Sequence, residues 1–239
     1  MTSNMSDLDL LELQIEALFT HDAKGRLVAI NEPGGGPAPR LFFGRTREGN
    51  LWRVRHDVPE SIASRLGELA ASEPVVDDLA AMPGQLDAML AVLGKDGEAA
   101  RVGHCGPAYR FPAAIPVPAN ATRITRANLH LLRRLVADLE DVEREFEQGE
   151  PCLAMIVEGM AVALCYSARL TARAAEAGVE TLEGYRGRGY AAAVVAAWAR
   201  TIRETGRIPL YSTSWDNLAS RVVARKLGLV QYGSDLSLW

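Results

Sequence analysis

A short segment in the last quarter of the chain combines two glycines and two arginines where a helix is predicted to begin. It reads Glu-Gly-Tyr-Arg-Gly-Arg-Gly-Tyr-Ala, residues 183–191. Gly187 and Gly189 permit a tight turn and carry no Cβ that would keep a ligand from the main chain. The first amides of the helix have no intrahelical partner and carry the positive end of the helix dipole. With Arg186 and Arg188 beside them, these amides predict a binding site for a small polyanion such as a pyrophosphate.

The distribution of charge agrees with such a ligand. The whole chain carries a formal net charge of −4, with 26 basic and 30 acidic residues. Residues 181–239 contain eight basic and four acidic residues, so this tail has a net charge of +4 and the residues before it −8. A compact basic region on an acidic protein favours a small anionic ligand and argues against general nucleic-acid binding.

Hydrophobic periodicity predicts the elements that must position the segment. The predicted order is a helix over 128–148, strands over 152–157, 160–167 and 177–182, a helix from Ala191, a strand over 208–213, a helix over 217–227 and a strand over 229–232. Apolar residues follow a helical stripe after the glycines, at Ala191, Val194, Val195, Trp198 and Ile202. This order predicts an α/β layered domain.

The first half of the chain predicts a separate α+β region. A leucine-periodic helix comes first, followed by a hairpin of strands 40–45 and 51–56 and by helices over 59–71 and 85–93. A proline-rich stretch then interrupts the periodicity. The sequence therefore predicts an N-terminal region of unknown role (1–110), a connector (111–121) and a second domain (122–239).

Two sequence blocks in the second domain resemble a known family. Arg186–Ala191 matches the (Gln/Arg)-x-x-Gly-x-(Gly/Ala) signature of the GNAT superfamily of N-acyltransferases. Asn217, Ser220, Lys226 and Gly228 match the family's next block, in which Asn-x-x-(Ala/Ser) begins a helix that ends in Lys-x-Gly. Both blocks occur in the expected order, each after a predicted strand, and the resemblance covers the whole second domain.

The resemblance implies a fold, a ligand and a reaction. It implies a mixed sheet flanked by helices, in which strands 177–182 and 208–213 splay apart and hold pantetheine between them. Acetyl-CoA or another acyl-CoA would be the co-substrate, and a small-molecule or peptide amine would attack the thioester directly, without a metal. The residues expected to bind the coenzyme are Thr181, Leu182, Arg186, Gly187, Arg188, Gly189, Tyr190, Ala191, Asn217 and Ser220.

This reaction requires two proton transfers. The acceptor amine must lose a proton before it attacks, and the thiolate must gain one as it leaves. The resemblance implies a glutamate base near Glu176, and Glu180 has the same facing on a regular strand. Many family members carry a tyrosine acid at the position that is alanine here, residue 224. Possible substitutes are Tyr190, Tyr211 and Tyr232, and solvent is another.

Three other interpretations of the glycine segment remain. Gly187-x-Gly189-x-x-Ala192 also fits the dinucleotide-binding fingerprint, with Asp216 in the place of the ribose ligand. Only 23 residues follow Asp216, which leaves no room for the further βα units of that fold. A non-catalytic acyl-CoA sensor stays open because residue 224 is alanine. In the third interpretation the segment is only a turn of a structural domain.

The remaining features of the sequence exclude several classes of site. The three cysteines lack CxxC spacing and the four histidines are scattered, so neither a disulfide framework nor a zinc site is predicted. The N-terminus is acidic and lacks the features of a signal peptide, and no apolar stretch is long enough to span a bilayer. These features predict a cytoplasmic protein that binds no membrane. They leave open the acceptor, the acyl chain, the role of residues 1–110 and the oligomeric state.

Overall fold

The computed structural model describes residues 5–97, 99–115, 120–144 and 146–239. The helices and strands are, in chain order, α1 Asp7–Leu18, β1 Phe19–His21, β2 Leu27–Ile30, β3 Leu41–Thr46, β4 Asn50–Val54, α2 Glu60–Ser72, α3 Leu86–Leu93, β5 Val102–Arg110, β6 Ala121–Ile124, α4 Leu139–Arg144, β7 Cys152–Val157, β8 Met160–Leu170, β9 Ala174–Thr181, α5 Tyr190–Glu204, β10 Ile208–Ser212, α6 Leu218–Lys226 and β11 Val230–Leu238. None of the described helices is both long and apolar enough to cross a bilayer.

The chain folds into two compact units. The first contains the described residues up to Arg110 together with Ser212–Leu218 and Gln231–Trp239. The second contains the described residues of Phe111–Tyr211 and Ala219–Val230. The predicted connector 111–121 is described only in part, since residues 116–119 lie outside the described residues.

The first unit is an α+β layer built on strands in the order β4-β3-β11-β5. Both β4 and β11 pair antiparallel with β3, so the predicted hairpin of strands 40–45 and 51–56 is confirmed. One face of these strands packs against α2 and α3. The core there contains Leu41, Phe43, Leu66, Leu69, Met89, Leu93, Leu236 and Leu238. Burial of this apolar surface is the main stabilisation of the unit.

The second unit carries the glycine segment. Its strands lie in the order β10-β9-β8-β7-β6, in which β10 is parallel to β9 and the other neighbours are antiparallel. Helix α5 packs against β7, β8 and β9, and its buried Trp198 donates a hydrogen bond from Nε1 to Ser167 Oγ at 3.2 Å. The opposite face is covered by 3-10 turns at Arg126–Leu132 and Phe146–Gln148. The predicted fold class, a mixed sheet flanked by helices, is confirmed in this unit.

The predicted helix over 128–148 is wrong. The structure has a 3-10 segment, the short helix α4 and a second 3-10 turn in its place. Asn128 has non-helical dihedrals (φ −126°, ψ 17°) and its side chain accepts a hydrogen bond from the amide of Thr125 at 2.7 Å. Asp138 accepts from the amide of Glu140 at 2.8 Å and so restarts the chain as α4. Leu129 and Phe146 are nevertheless buried, so the apolar spacing marked the buried side chains rather than one continuous helix.

Some strands differ from their predicted bounds. Strand β9 begins three residues before the predicted 177, and β11 continues to Leu238 instead of ending at 232. The strands β1, β2, β5 and β6 were not predicted. In β5 the alternation of apolar and polar residues is broken by Gly106 and Pro107. Gly106 is required there because a Cβ would lie 1.7 Å from the carbonyl oxygen of Thr213 in the same unit.

Candidate functional site

The glycine segment, residues 183–191, forms the turn between β9 and α5, which we call the glycine turn. One 3-10 turn at Glu183–Tyr185 follows β9, and Gly189 is the N-cap of α5. Gly187 and Gly189 have φ values of 79° and 86°, in the left-handed region that strongly favours glycine. A Cβ at either position would meet no atom within 4 Å. The backbone conformation therefore requires glycine here, and the space beside the main chain is open.

The first amides of α5 follow this turn and have no acceptor within the helix. The amide of Arg186 donates to Glu183 O at 3.1 Å, which closes the 3-10 turn. The first helical bond of α5 runs from the amide of Ala193 to Gly189 O, also at 3.1 Å. The amides of Tyr190 and Ala191 precede that bond and so have no acceptor within the helix. They lie at the positive end of the helix dipole, which suits an anionic ligand.

Two exposed arginines add positive charge to the same turn. The guanidinium carbon of Arg188 lies 5.1 Å from the ring centroid of Tyr185, a contact that orients a cation on an aromatic face. The Tyr185 and Tyr190 rings are 6.4 Å apart between centroids. Arg186 is exposed beside them. The turn therefore offers both backbone amides and guanidinium groups to a phosphate.

Strands β9 and β10 pair over only part of their length. The register contains three pairs, from Ile208↔Ala174 to Leu210↔Glu176. Strand β9 continues to Thr181, so among the described residues its segment 177–181 has no registered partner on β10. We call the edge of residues 177–181 that faces away from β8 the split. It agrees with the predicted divergence of the two strands and leads directly into the glycine turn.

Two predicted coenzyme-binding residues lie where β9 ends. Thr181 is half-buried and is paired in register with Ala163 of β8. The amide of Leu182 donates to Val162 O at 3.0 Å. This amide is thus committed to the sheet, and Leu182 would have to contact a ligand through its side chain or carbonyl group.

The two predicted carboxylates occupy the same face of β9 but differ in exposure. Glu176 is only 2% exposed and lies opposite Arg169 in the register with β8. Opposite charges at such a cross-strand position stabilise each other. Glu180 is exposed and lies opposite Leu164. Partial burial of the Glu180 carboxyl raises its pKa above the usual value.

The raised pKa of Glu180 predicts a small, pH-dependent effect on stability. A carboxyl whose pKa is higher in the folded state favours folding only while it is protonated. Below the unfolded-state pKa of about 4.3, Glu180→Gln should leave the free energy of unfolding unchanged. At neutral pH it should raise that free energy, by less than about 1 kcal/mol because the side chain is exposed. Urea unfolding at pH 4 and pH 7 measures both values, and destabilisation at neutral pH would contradict the prediction.

The residues proposed to replace the missing tyrosine acid have different surroundings. Tyr211 is 2% exposed, and its hydroxyl lies 2.6 Å from Ser220 Oγ. Tyr232 is buried in the first unit and donates to Gln14 Oε1 at 2.8 Å. Tyr190 is half-buried at the start of α5. Tyr190 directly follows the glycines of the turn in the chain.

The structure brings most of the predicted site residues into one unit. Glu176, Glu180, the residues of the glycine turn and Ser220 all belong to the second unit. Asn217 belongs to the first unit, where its amide donates to Ser214 O at 3.2 Å. Sequence reasoning missed Tyr166, whose ring lies across Gly178 in the middle of β9. A glycine inside a strand was the available sign of such a close approach.

Cys152 and Cys165 are buried in the core of the second unit. Burial raises the pKa of the Cys152 thiol to about 12 and that of Cys165 well above its usual value. Both side chains are therefore neutral thiols at physiological pH. Among the residues that the structure describes, no group of three or more His, Cys, Asp and Glu side chains is arranged to hold a metal ion.

Comparison with known proteins gives a family match for residues 120–234. The family model described as GNAT acetyltransferase matches residues 120–234. No curated protein sequence matches the chain.

Solved structures of similar fold include several described as GNAT-family proteins. A GNAT-family acetyltransferase from Colwellia psychrerythraea aligns with 97% of this chain and 95% of its own, at 10% identity and a TM-score of 0.50. A GCN5-related N-acetyltransferase-like protein from Streptococcus suis 89/1591 aligns over 84% of each chain, at 19% identity and a TM-score of 0.47. A further GNAT-family structure, from Novosphingobium aromaticivorans DSM 12444, has 19% identity and a TM-score of 0.44 over 58% of this chain and 66% of its own. The family model therefore assigns residues 120–234 to the GNAT acetyltransferases.

Proposed function

We propose that the protein transfers an acyl group from acyl-CoA, with acetyl-CoA as the default donor, to a small-molecule or peptide amine. The observation that carries this proposal is the turn at Gly187–Ala191, where the space beside both glycines is open and the first amides of α5 have no helical acceptor. It lies at the end of a strand that has lost its partner on one side. A turn of this kind holds a pyrophosphate, and an adjacent strand edge with free backbone groups can hold the amide-containing pantetheine arm.

Each part of the coenzyme then has a place in the second unit. The pyrophosphate accepts hydrogen bonds from the amides of the turn and contacts from Arg186 and Arg188. The pantetheine arm runs back along the split, where β9 offers backbone groups from Ala177 to Thr181. The predicted contacts of Asn217 and Ser220 with the coenzyme stay predictions.

The carboxylates of β9 supply the proton transfer. The acceptor arrives as an ammonium with a reference pKa near ~10.4, and it must become a neutral amine before it can attack. We assign that proton to Glu176, with Glu180 as the second carboxylate on the same face. The amine nitrogen then forms a bond to the thioester carbonyl carbon and releases its second proton to solvent, the C–S bond breaks, and the thiolate takes a proton from Tyr190 or solvent.

A turnover assay tests the proposal. The purified protein is incubated with acetyl-CoA and a panel of amines (polyamines, aminoglycosides, amino acids and peptides with free N-termini), and release of the free coenzyme thiol is followed. Turnover with at least one amine is expected. Tight acetyl-CoA binding without turnover would instead favour the sensor interpretation, which the alanine at position 224 also favours.

A further inference from the structure

The ring of Tyr166 lies on β9 at a position where only glycine fits. Tyr166 and Gly178 are directly opposite each other in the register of β8 and β9. A Cβ on Gly178 would lie 2.6 Å from Cζ of Tyr166, 2.7 Å from Cε1 and 3.0 Å from Cε2. The far end of the ring therefore covers the main chain of Gly178. Gly178 is one of the residues 177–181 that border the split, so the far end of the ring lies against a residue of the split.

The same ring belongs to the sheet face opposite α5. Ser167 accepts a hydrogen bond from Trp198 of α5, and the next residue along a strand points to the other face. Tyr166 accordingly packs against the cluster that contains Leu164 and Phe146. Its Cδ2 atom also lies 3.8 Å from the Cβ position of Gly149. The ring is thus held on both sides by the fold.

This inference rests on the proposed function. In that function the thioester end of the acyl-CoA reaches Gly178. It is two residues beyond Glu176, where the pairing with β10 ends. It is four residues before Leu182, and a strand rises ~3.3 Å per residue, so this distance is about 13 Å. An extended pantetheine arm that starts from a pyrophosphate at the glycine turn reaches about as far. The thioester then lies beside Gly178, between the two carboxylates.

We propose that Tyr166 selects short acyl donors by closing the split at Gly178 on the face opposite α5. An acetyl or propionyl group fits beside the ring, whereas a longer chain would have to displace a side chain that Leu164 and Gly149 hold in place. The residue beneath the ring is Gly178, which has no side chain. Removing the phenol ring therefore leaves an open channel over β9 at that position. This channel leads toward the apolar cluster around Leu164 and suits a linear acyl chain of four to six carbons.

Binding of acyl-CoA esters of increasing chain length tests this inference without an acceptor. Titration calorimetry gives the affinities of free CoA and of acetyl-, butyryl- and hexanoyl-CoA for the wild-type protein and for Tyr166→Ala. For the wild type, affinity relative to free CoA should fall from acetyl to hexanoyl. For Tyr166→Ala the hexanoyl-to-acetyl affinity ratio should rise by about tenfold or more, because each buried methylene group strengthens binding about fourfold. Tyr166→Phe keeps the ring and should keep the wild-type ratio.

Each outcome has a definite meaning. An unchanged ratio in Tyr166→Ala, with free CoA still bound, would overturn the inference and leave the proposed function intact. The same holds if the wild type already binds hexanoyl-CoA as tightly as acetyl-CoA. Failure of the wild type to bind any form of CoA would overturn the proposed function itself. If Tyr166→Ala does not fold, Tyr166→Leu removes the far end of the ring and gives the same comparison.

Discussion

Replacing Gly189 with valine is expected to abolish acetyl-CoA binding in a protein that still folds. The residue has a φ of 86°, and a side chain there would project into the open space from which a pyrophosphate must approach. Loss of two hydrogen bonds to a charged group costs roughly 3–6 kcal/mol, which corresponds to a loss of affinity of about a hundredfold or more. Isothermal titration of acetyl-CoA into wild type and variant measures this directly.

A matched control separates the loss of the ligand site from backbone strain. Gly206, just beyond the other end of α5, has a φ of 80° and equally open surroundings. In Gly206→Val, as in Gly189→Val, the left-handed conformation costs roughly 1–2 kcal/mol or more of folding stability. We expect Gly206→Val to melt earlier yet bind acetyl-CoA with wild-type affinity. Equal affinity in a folded Gly189→Val would show that the pyrophosphate does not bind at this turn.

Replacing Glu176 with glutamine is expected to lower turnover about 10²–10⁴-fold at neutral pH, the usual contribution of a general base. The deficit should shrink as pH approaches ~10, because the acceptor amine then loses its proton without help. Affinity for acetyl-CoA should be unchanged, since the side chain lies at the end of the split farther from the glycine turn. Rates measured from pH 6 to pH 10 give the profile.

Two further substitutions show whether the effect is specific to Glu176. Glu204→Gln changes an exposed carboxylate at the end of α5 that pairs with Arg200, and it should leave the rates unchanged. Glu180→Gln removes the second carboxylate of the same face. A large loss in Glu180→Gln, with wild-type rates in Glu176→Gln at every pH, would transfer the base to Glu180.

The glycine turn was predictable from the sequence because its geometry is local. A helix start, two glycines and two arginines lie within nine residues, and left-handed φ values and free amides follow from those residue types alone. The hairpins were predictable for a similar reason, since short turns fix strand pairing.

One feature that sequence reasoning missed depends on local side-chain hydrogen bonds, and two others depend on contacts between distant residues. The apolar stripe of 128–148 was real, but the side chains of Asn128 and Asp138 accept hydrogen bonds from the nearby amides of Thr125 and Glu140 and divide it into short turns. Gly106 of β5 is explained by the carbonyl group of Thr213, which lies more than a hundred residues later in the chain. The position of Tyr166 likewise follows from its register opposite Gly178, which the residue types alone do not reveal.

The most direct test of the account is a thermal melt of the wild-type protein with and without acetyl-CoA, with NAD in parallel. A ligand present at 100 times its dissociation constant adds about 2.7 kcal/mol to the free energy of unfolding. For a chain of this size the Tm should rise by roughly 5–10 °C. The account predicts this rise with acetyl-CoA and none with NAD. No rise with acetyl-CoA at saturating concentrations, or a rise with NAD alone, would contradict the assignment of the glycine turn as a coenzyme A site.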